Sequence, residues 1–233
     1  MSTASDMEKC LAYISAHTQP SIAGTKPAVQ RPSVTISRQS GTGAMVVADR
    51  LAEFLETHAP APGKWTVFNR NIVEQALTDH NLPLDLAKYM PENRVSAIDD
   101  MLEELFGLHP ASMTLVRETA ETLLHLAALG NVILVGRASA AITRALGNVF
   151  HVRIIAPLGQ RVERTMKQCK LTRKAALDFV CEEERGRKLY MEDNFKADID
   201  DPLLYDIVLN MARIQPDEAA RIIGEAVLRR AKK

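Results

Sequence analysis

The chain has 233 residues, of which 46% are hydrophobic and 25% charged, a balance typical of a globular protein with a substantial core. Its 29 basic and 29 acidic residues give a formal net charge of zero, which argues against nucleic acid as a partner. No apolar run approaches the length of a membrane span. Together with three cysteines that lack metal or redox spacing, these features predict a cytoplasmic protein without membrane contact.

Residues 1–32 are predicted to form a helix and a proline-rich linker, followed by one domain over residues 33–233. The helix places Leu11 and Ile14 on one side, and prolines and a glycine interrupt the chain after it. A helix on such a linker can dock onto a second copy of the chain. A homo-oligomer is therefore one expectation for this protein.

From Ser33 the sequence predicts a strand, a glycine turn and a helix in immediate succession. The β-branched run SVTIS enters the turn SGTGAM, and apolar residues then recur at helical spacing, namely Val47, Leu51, Phe54 and Leu55. At the carboxyl edge of a parallel sheet, such a turn offers free main-chain N–H groups and the positive end of a helix dipole to an anion.

The glycines of this turn support two interpretations. Gly41 and Gly43 let a phosphate approach the main chain closely, with hydroxyl donors from Ser40 and Thr42 beside them. A tight turn without a ligand accounts for the same glycines, and short glycine patterns also match by chance. The glycines alone do not decide between a phosphate site and a turn.

Known nucleotide motifs fit this loop only in part. A dinucleotide fingerprint needs a third glycine where Val46 stands. The P-loop pattern G-x-x-x-x-G-K-[ST], aligned at Gly43, puts Ala44 at the lysine and Met45 at the hydroxyl. The side chains that normally contact the terminal phosphates and magnesium are therefore absent, while the main-chain N–H groups are kept.

The rest of the chain alternates strands with helices. The predicted segments are, in order, a strand at 65–69, a helical insert at about 70–130, strands at 131–136 and 150–157, a charged helical segment at about 158–197, a strand at 207–209 and a final helix from Pro216. This alternation predicts an α/β fold with a parallel sheet and helices on both faces.

Four segments together resemble the cytidylate kinase-like family of P-loop proteins: VTISRQSGTGA, VILVGRASAAI, FHVRIIAPLGQRVERTM and DDPLLYDIVLNMARI. The resemblance implies a three-layer α/β/α P-loop kinase fold with a five-stranded parallel sheet. It also implies that the helical insert binds the acceptor nucleotide and that the segment at about 158–197 is an arginine-rich lid over ATP. ATP with Mg²⁺ would then be the substrate complex, and nucleotides the partners.

The same resemblance implies roles for individual residues. The ATP phosphates would lie on the loop, at Ser40, Gly41, Thr42, Gly43 and Ala44. Three lid arginines would serve catalysis by neutralising developing charge: Arg161, Arg185 and Arg187. The acceptor phosphate would meet Arg137, with Arg94 and Arg117 as further candidates in the insert. Arginine and glutamate at helical spacing are also typical of solvated faces with weak ion pairs, which is the simpler interpretation of the lid.

The function implied is ATP-dependent phosphoryl transfer to a nucleoside monophosphate such as CMP or dCMP. Because Ala44, Met45 and Val46 supply neither charge nor a hydroxyl, a catalytically impaired nucleotide-binding or regulatory module is the alternative. A third hypothesis is an interaction protein that keeps only the fold. The six histidines are scattered without metal-ligand spacing, so no protein-held metal is expected.

Overall fold

The strands form a single parallel sheet. The structure is a computed structural model that describes residues 12–13, 31–59, 63–69, 92–106, 114–136 and 138–231. The strands are β1 (Ser33–Arg38), β2 (Thr66–Asn69), β3 (Val132–Val135), β4 (Val149–Ile155) and β5 (Ile207–Asn210). Their order in the sheet is β2-β3-β1-β4-β5, and every pairing is parallel. The predicted five-stranded parallel sheet is confirmed.

Helices connect these strands. In chain order the described helices are α1 (Ala44–His58), α2 (Glu92–Phe106), α3 (Thr114–Leu129), α4 (Ser139–Ile142), α5 (Leu158–Cys169), α6 (Arg173–Phe195) and α7 (Pro216–Arg230), with a 3₁₀ turn at Pro202–Leu204 before β5. The predicted insert thus contains α2 and α3, and the predicted lid contains α5 and α6. Residues 70–91 of the insert lie outside the described residues.

Side chains of successive strand residues enter cores on opposite faces of the sheet, as the period of two in a strand requires. Val132 and Leu134 of β3 join a buried cluster with α2 and α3. Ile133 and Val135 join a second cluster, with α1 and α7. Because both faces are covered, β3 is apolar throughout, and the fold is the three-layer α/β/α arrangement that the sequence predicted.

Polar residues interrupt the core on one face of the two central strands. Thr35 of β1 is paired in register with His151 of β4, and their Oγ1 and Nδ1 atoms are 2.8 Å apart. One step towards the carboxyl edge, Arg153 donates through Nη1 to Ser37 Oγ at 2.8 Å. Ser33 donates to the Ala127 carbonyl of α3 at 2.8 Å. This polar row leads from the core to the edge where the strands end.

Tyr13 connects the N-terminal segment to the core of its own chain. Its ring is 4% exposed and meets Phe68 of β2 edge-on, with centroids 5.7 Å apart, while its hydroxyl donates to the Gly130 carbonyl. The remainder of the predicted N-terminal helix lies outside the described residues. Self-association through this segment stays a prediction.

Acid should destabilise the fold through His151. Burial lowers the pKa of His151, with Asp206 opposing and Arg230 reinforcing the shift. The unfolded chain therefore binds the proton more readily, and the free energy of unfolding should fall as pH decreases below the ordinary histidine pKa of about 6.5. Urea denaturation across this pH range should show a shallower decrease for His151→Asn than for the wild type. An equal decrease for His151→Asn and the wild type would contradict this role of His151.

Candidate functional site

The loop at residues 39–43 joins β1 to α1 at the carboxyl edge of the sheet. The Gln39 N–H donates to the Ile154 carbonyl at 3.0 Å, and the Ala156 N–H donates to Gln39 Oε1 at 3.0 Å, so the loop begins tied to the end of β4. Gly41 and Gly43 have φ values of 77° and 82°, in the left-handed region that favours glycine.

The N–H groups of residues 41–45 donate no hydrogen bond to any part of the chain that the structure describes. They lie at the N-terminus of the 15-residue helix α1, which begins at Ala44 and has no side-chain cap. The Thr42 hydroxyl donates within the loop, to the Gln39 carbonyl at 2.8 Å. Unbonded amides at a helix N-terminus form a site for an anion.

Helix α5 packs directly against the loop. A Cβ atom at Gly41 would lie 2.5 Å from the Arg161 carbonyl oxygen and 2.8 Å from Thr165 Oγ1. No side chain fits in that space, so glycine is required for contact as well as for the backbone angle. The glycine at position 41 is therefore explained by the packing of α5 on the loop.

Two arginines of α5 bind carbonyl groups around the loop. Arg161, 7% exposed, donates through Nε to the Ala156 carbonyl at 2.9 Å and through Nη1 to the Ser40 carbonyl at 3.3 Å. Arg164 donates through Nη1 to the carbonyls of Gly41, at 3.2 Å, and Thr42. The three-residue spacing in the sequence places both arginines on one side of α5, and of the two only Arg161 was predicted to be a catalytic residue.

Helix α6 also contacts the loop, through a carboxylate. Glu184 Oε1 accepts a hydrogen bond from the Ser40 N–H at 2.6 Å, and Glu184 Oε2 lies 3.4 Å from Arg161 Nη1. Arg187, one turn further along α6, donates through Nη2 to Glu183 Oε2 at 2.6 Å. Its Nη1 lies 3.6 Å from Glu184 Oε1.

A cavity of about 310 Å³ opens between the end of β1, the start of α4 and helix α6. Ser37, Arg38, Arg187 and Tyr205 are among its lining residues. A smaller cavity of about 130 Å³ shares Arg38 and Arg187 and adds Arg153, Arg185 and Lys188. In the larger cavity Arg38 and Arg187 are balanced by Glu182 and Glu183, whereas the smaller cavity has five basic lining residues against two acidic ones. Positive charge is therefore in excess at the smaller cavity, although the chain as a whole is neutral.

Arg153 is the clearest site residue that sequence reasoning missed. It is 4% exposed, pairs with Asp200 Oδ1 at 2.7 Å and lies 5.8 Å above the centre of the Tyr205 ring. The Tyr205 hydroxyl donates to the Ile199 carbonyl at 2.8 Å and lies 3.2 Å from Ser37 Oγ, and burial raises its pKa. A lone charge inside the apolar run FHVRIIAP was the available signal.

Of the three predicted acceptor arginines, the structure describes the side chain of Arg117 alone. Arg137 lies outside the described residues, and Arg94 falls within α2, where its side chain is not described. Arg117 is exposed on α3 and lines neither cavity. Their roles stay predictions, as do those of Arg161, Arg185 and Arg187 in catalysis.

Gly136, which precedes Arg137, has a structural explanation of its own. Its φ is 87°, and a Cβ atom there would lie 1.8 Å from Arg38 Nη1. The glycine therefore leaves room for the Arg38 guanidinium to cross the end of β3. Arg38 belongs to the loop motif of the sequence, but its position in the cavity could not be read from that motif.

The described ranges contain neither a metal-binding cluster nor a helix able to span a membrane. No three histidine, cysteine or acidic side chains there lie close enough together to hold a metal ion. None of the helices in these ranges combines the length and the apolar composition needed to cross a membrane.

Known proteins share both this sequence pattern and this fold. A model of the cytidylate kinase-like family matches residues 33–213. The chain belongs to this family. A cytidylate kinase of Natronomonas pharaonis is 26% identical over 194 residues, which cover 83% of this chain and 88% of that protein. An uncharacterized protein from Eubacterium ventriosum has a similar structure, with a TM-score of 0.56 and 18% identity over 85% of this chain and 98% of the other.

Family membership confirms the resemblance found in the sequence and supports a nucleotide kinase-like function. The family also implies nucleotide ligands, with ATP and Mg²⁺ as the substrate complex. The matched residues include the loop, both lid helices and β5, so they contain every residue described above as lining the two cavities.

Replacing Gly41 with alanine should disrupt the loop. The added methyl group would meet the Arg161 main chain, and alanine at this φ is strained, so we expect a loss of about 2 to 4 kcal/mol in the free energy of unfolding. Gly147→Ala is the matched control, because a Cβ there has no atom within 4 Å. Equal stability of the two variants in urea denaturation would contradict the packing described for α5.

Proposed function

We propose that the chain transfers the terminal phosphoryl group of ATP, bound with Mg²⁺, to a nucleoside monophosphate, with CMP or dCMP as the first acceptors to test. One observation carries this proposal: the unbonded amides of residues 41–45 follow strand β1, whose last residue, Arg38, lines a cavity together with Arg187. Phosphoryl transfer depends mostly on positioning and on neutralising charge, which are the two things this arrangement provides.

The donor phosphates are assigned to the loop. The N–H groups of Gly41, Thr42, Gly43 and Ala44 and the dipole of α1 would bind their oxygens, as the sequence predicted. The Thr42 side chain is 1% exposed and bonded within the loop, so it supports the loop's shape. With no lysine in the loop, the positive charge comes from arginines of other elements.

The acceptor is assigned to the larger cavity. Its volume of about 310 Å³ falls at the lower end of the range typical of small-molecule sites, about 300 to 1,000 Å³. The planar guanidinium groups of Arg38 and Arg187 match the geometry of phosphate oxygens. An acceptor phosphate oxygen attacks the γ-phosphorus of ATP, the bond to the bridging oxygen breaks, and ADP and a nucleoside diphosphate leave.

A nucleotide-binding module without turnover is the second candidate. The observation that favours it is the start of α1, where Met45 and Val46 are 38% and 45% exposed and provide no charge or hydroxyl. Such a module would still bind ATP through the loop amides.

A kinase assay distinguishes the two functions. The purified protein, given ATP, Mg²⁺ and either CMP or dCMP, should produce ADP and the matching nucleoside diphosphate in equal amounts, measured by anion-exchange chromatography. ATP binding in a calorimeter without product from any common nucleoside monophosphate would instead favour the binding module. If the protein neither binds ATP nor forms product, both candidate functions are refuted.

Arg164 should be required for turnover, because it holds the carbonyls of Gly41 and Thr42. We expect Arg164→Ala to lower kcat/KM by about tenfold to a hundredfold, as a misplaced loop would, and Arg164→Lys to retain part of the activity. Arg221→Ala, at an exposed position on α7, is the control and should leave kcat/KM unchanged.

A further inference from the structure

Among the main-chain amides of residues 40–45, that of Ser40 alone has a hydrogen-bond partner within the described ranges. The partner is a carboxylate of the same chain. Glu184 Oε1 accepts from the Ser40 N–H at 2.6 Å, a short charge-assisted hydrogen bond. Its other oxygen, Oε2, lies 3.4 Å from Arg161 Nη1. One anionic group is therefore held by a loop amide and a buried guanidinium, which together form a binding arrangement for an anion.

Arg187 also faces the Glu184 carboxylate, but one of its guanidinium nitrogens makes no hydrogen bond. Its Nη1 atom is buried and has no hydrogen-bond partner in the part of the chain that the structure describes, although it lies only 3.6 Å from Glu184 Oε1. Buried N–H groups without a partner are unfavourable. A larger anion in the same place, with more oxygen atoms, would satisfy this group.

We propose that Glu184 is an internal competitor for a phosphate group of the nucleotide. Its carboxylate occupies an anion subsite made of the Ser40 N–H and the guanidinium groups of Arg161 and Arg187, and a nucleotide phosphate displaces it. The proposal rests on the proposed function, because it requires that a nucleotide bind at the loop.

The phosphate wins this competition because it carries more charge and more acceptor oxygens than a carboxylate. The Glu184 side chain is 28% exposed, so water can solvate its carboxylate once it is displaced. While Glu184 is bound, only a fraction of the molecules have the subsite open, and the apparent dissociation constant rises by the inverse of that fraction. Removal of Glu184 must therefore strengthen binding, whereas removal of an ordinary ligand-binding residue would weaken it.

Calorimetric titration with ATP and, separately, with inorganic tripolyphosphate tests the sign of this effect. We expect Glu184→Ala and Glu184→Gln to bind both probes more tightly than the wild type, by about tenfold, the ratio expected for loss of one charge-assisted hydrogen bond. Glu163→Gln is the control. It removes the same charge from an exposed position on α5 that lines neither cavity.

The possible results separate the inference from the proposed function. If the Glu184 variants bind ATP no more tightly than a wild type that does bind it, Glu184 is not a competitor, and the proposed function stands. If Glu163→Gln tightens binding as much as Glu184→Gln, the effect is one of general charge and the inference is wrong. If even Glu184→Ala binds neither probe, both the inference and the proposed function fail. If Glu184→Ala has a melting temperature far below that of the wild type, the titration of the nearly isosteric Glu184→Gln decides whether the inference holds.

Discussion

The close contact between Gly41 and the main chain of Arg161 is the constraint on which the site depends. It brings α5 against the loop with no side chain between them, and it puts Arg164 within reach of the loop carbonyls. The loop thus has its shape imposed from outside, by a helix that lies more than a hundred residues further along the chain. A turn of this kind does not need a lysine to be ordered.

Positive charge at the site is spread over separate elements. Arg38 comes from β1, Arg153 from β4, Arg164 from α5 and Arg187 from α6. Arg153 and Arg187 are held by carboxylates, and Arg164 by main-chain carbonyls. This pairing keeps each guanidinium in one orientation, which favours planar recognition of phosphate. It also explains why a neutral net charge gave no sign of an anion site in the sequence.

Much of the fold could be predicted from the sequence because it rests on local patterns. Apolar β-branched runs gave the strands, and two glycines between a strand and a helix gave the loop. The contact of Glu184 with Ser40 could not be predicted, because it joins residues 144 positions apart and depends on how α6 lies across the sheet edge. Arg153 was missed for another reason: an apolar strand pattern hides a single charged residue whose partners come from two other segments.

Helix α6 links two parts of the molecule. Near its start, Val180 packs on Val162 of α5, and at its end Phe195 packs edge-on against Phe106 of α2 with ring centroids 5.9 Å apart. Gly186 lies between these anchors, where a Cβ atom would have no neighbour within 4 Å, so packing does not require a glycine there. Glycine lowers the resistance of a helix to bending. A bend of α6 at Gly186 would change the distance between the loop and the helical insert while both ends of α6 keep their packing.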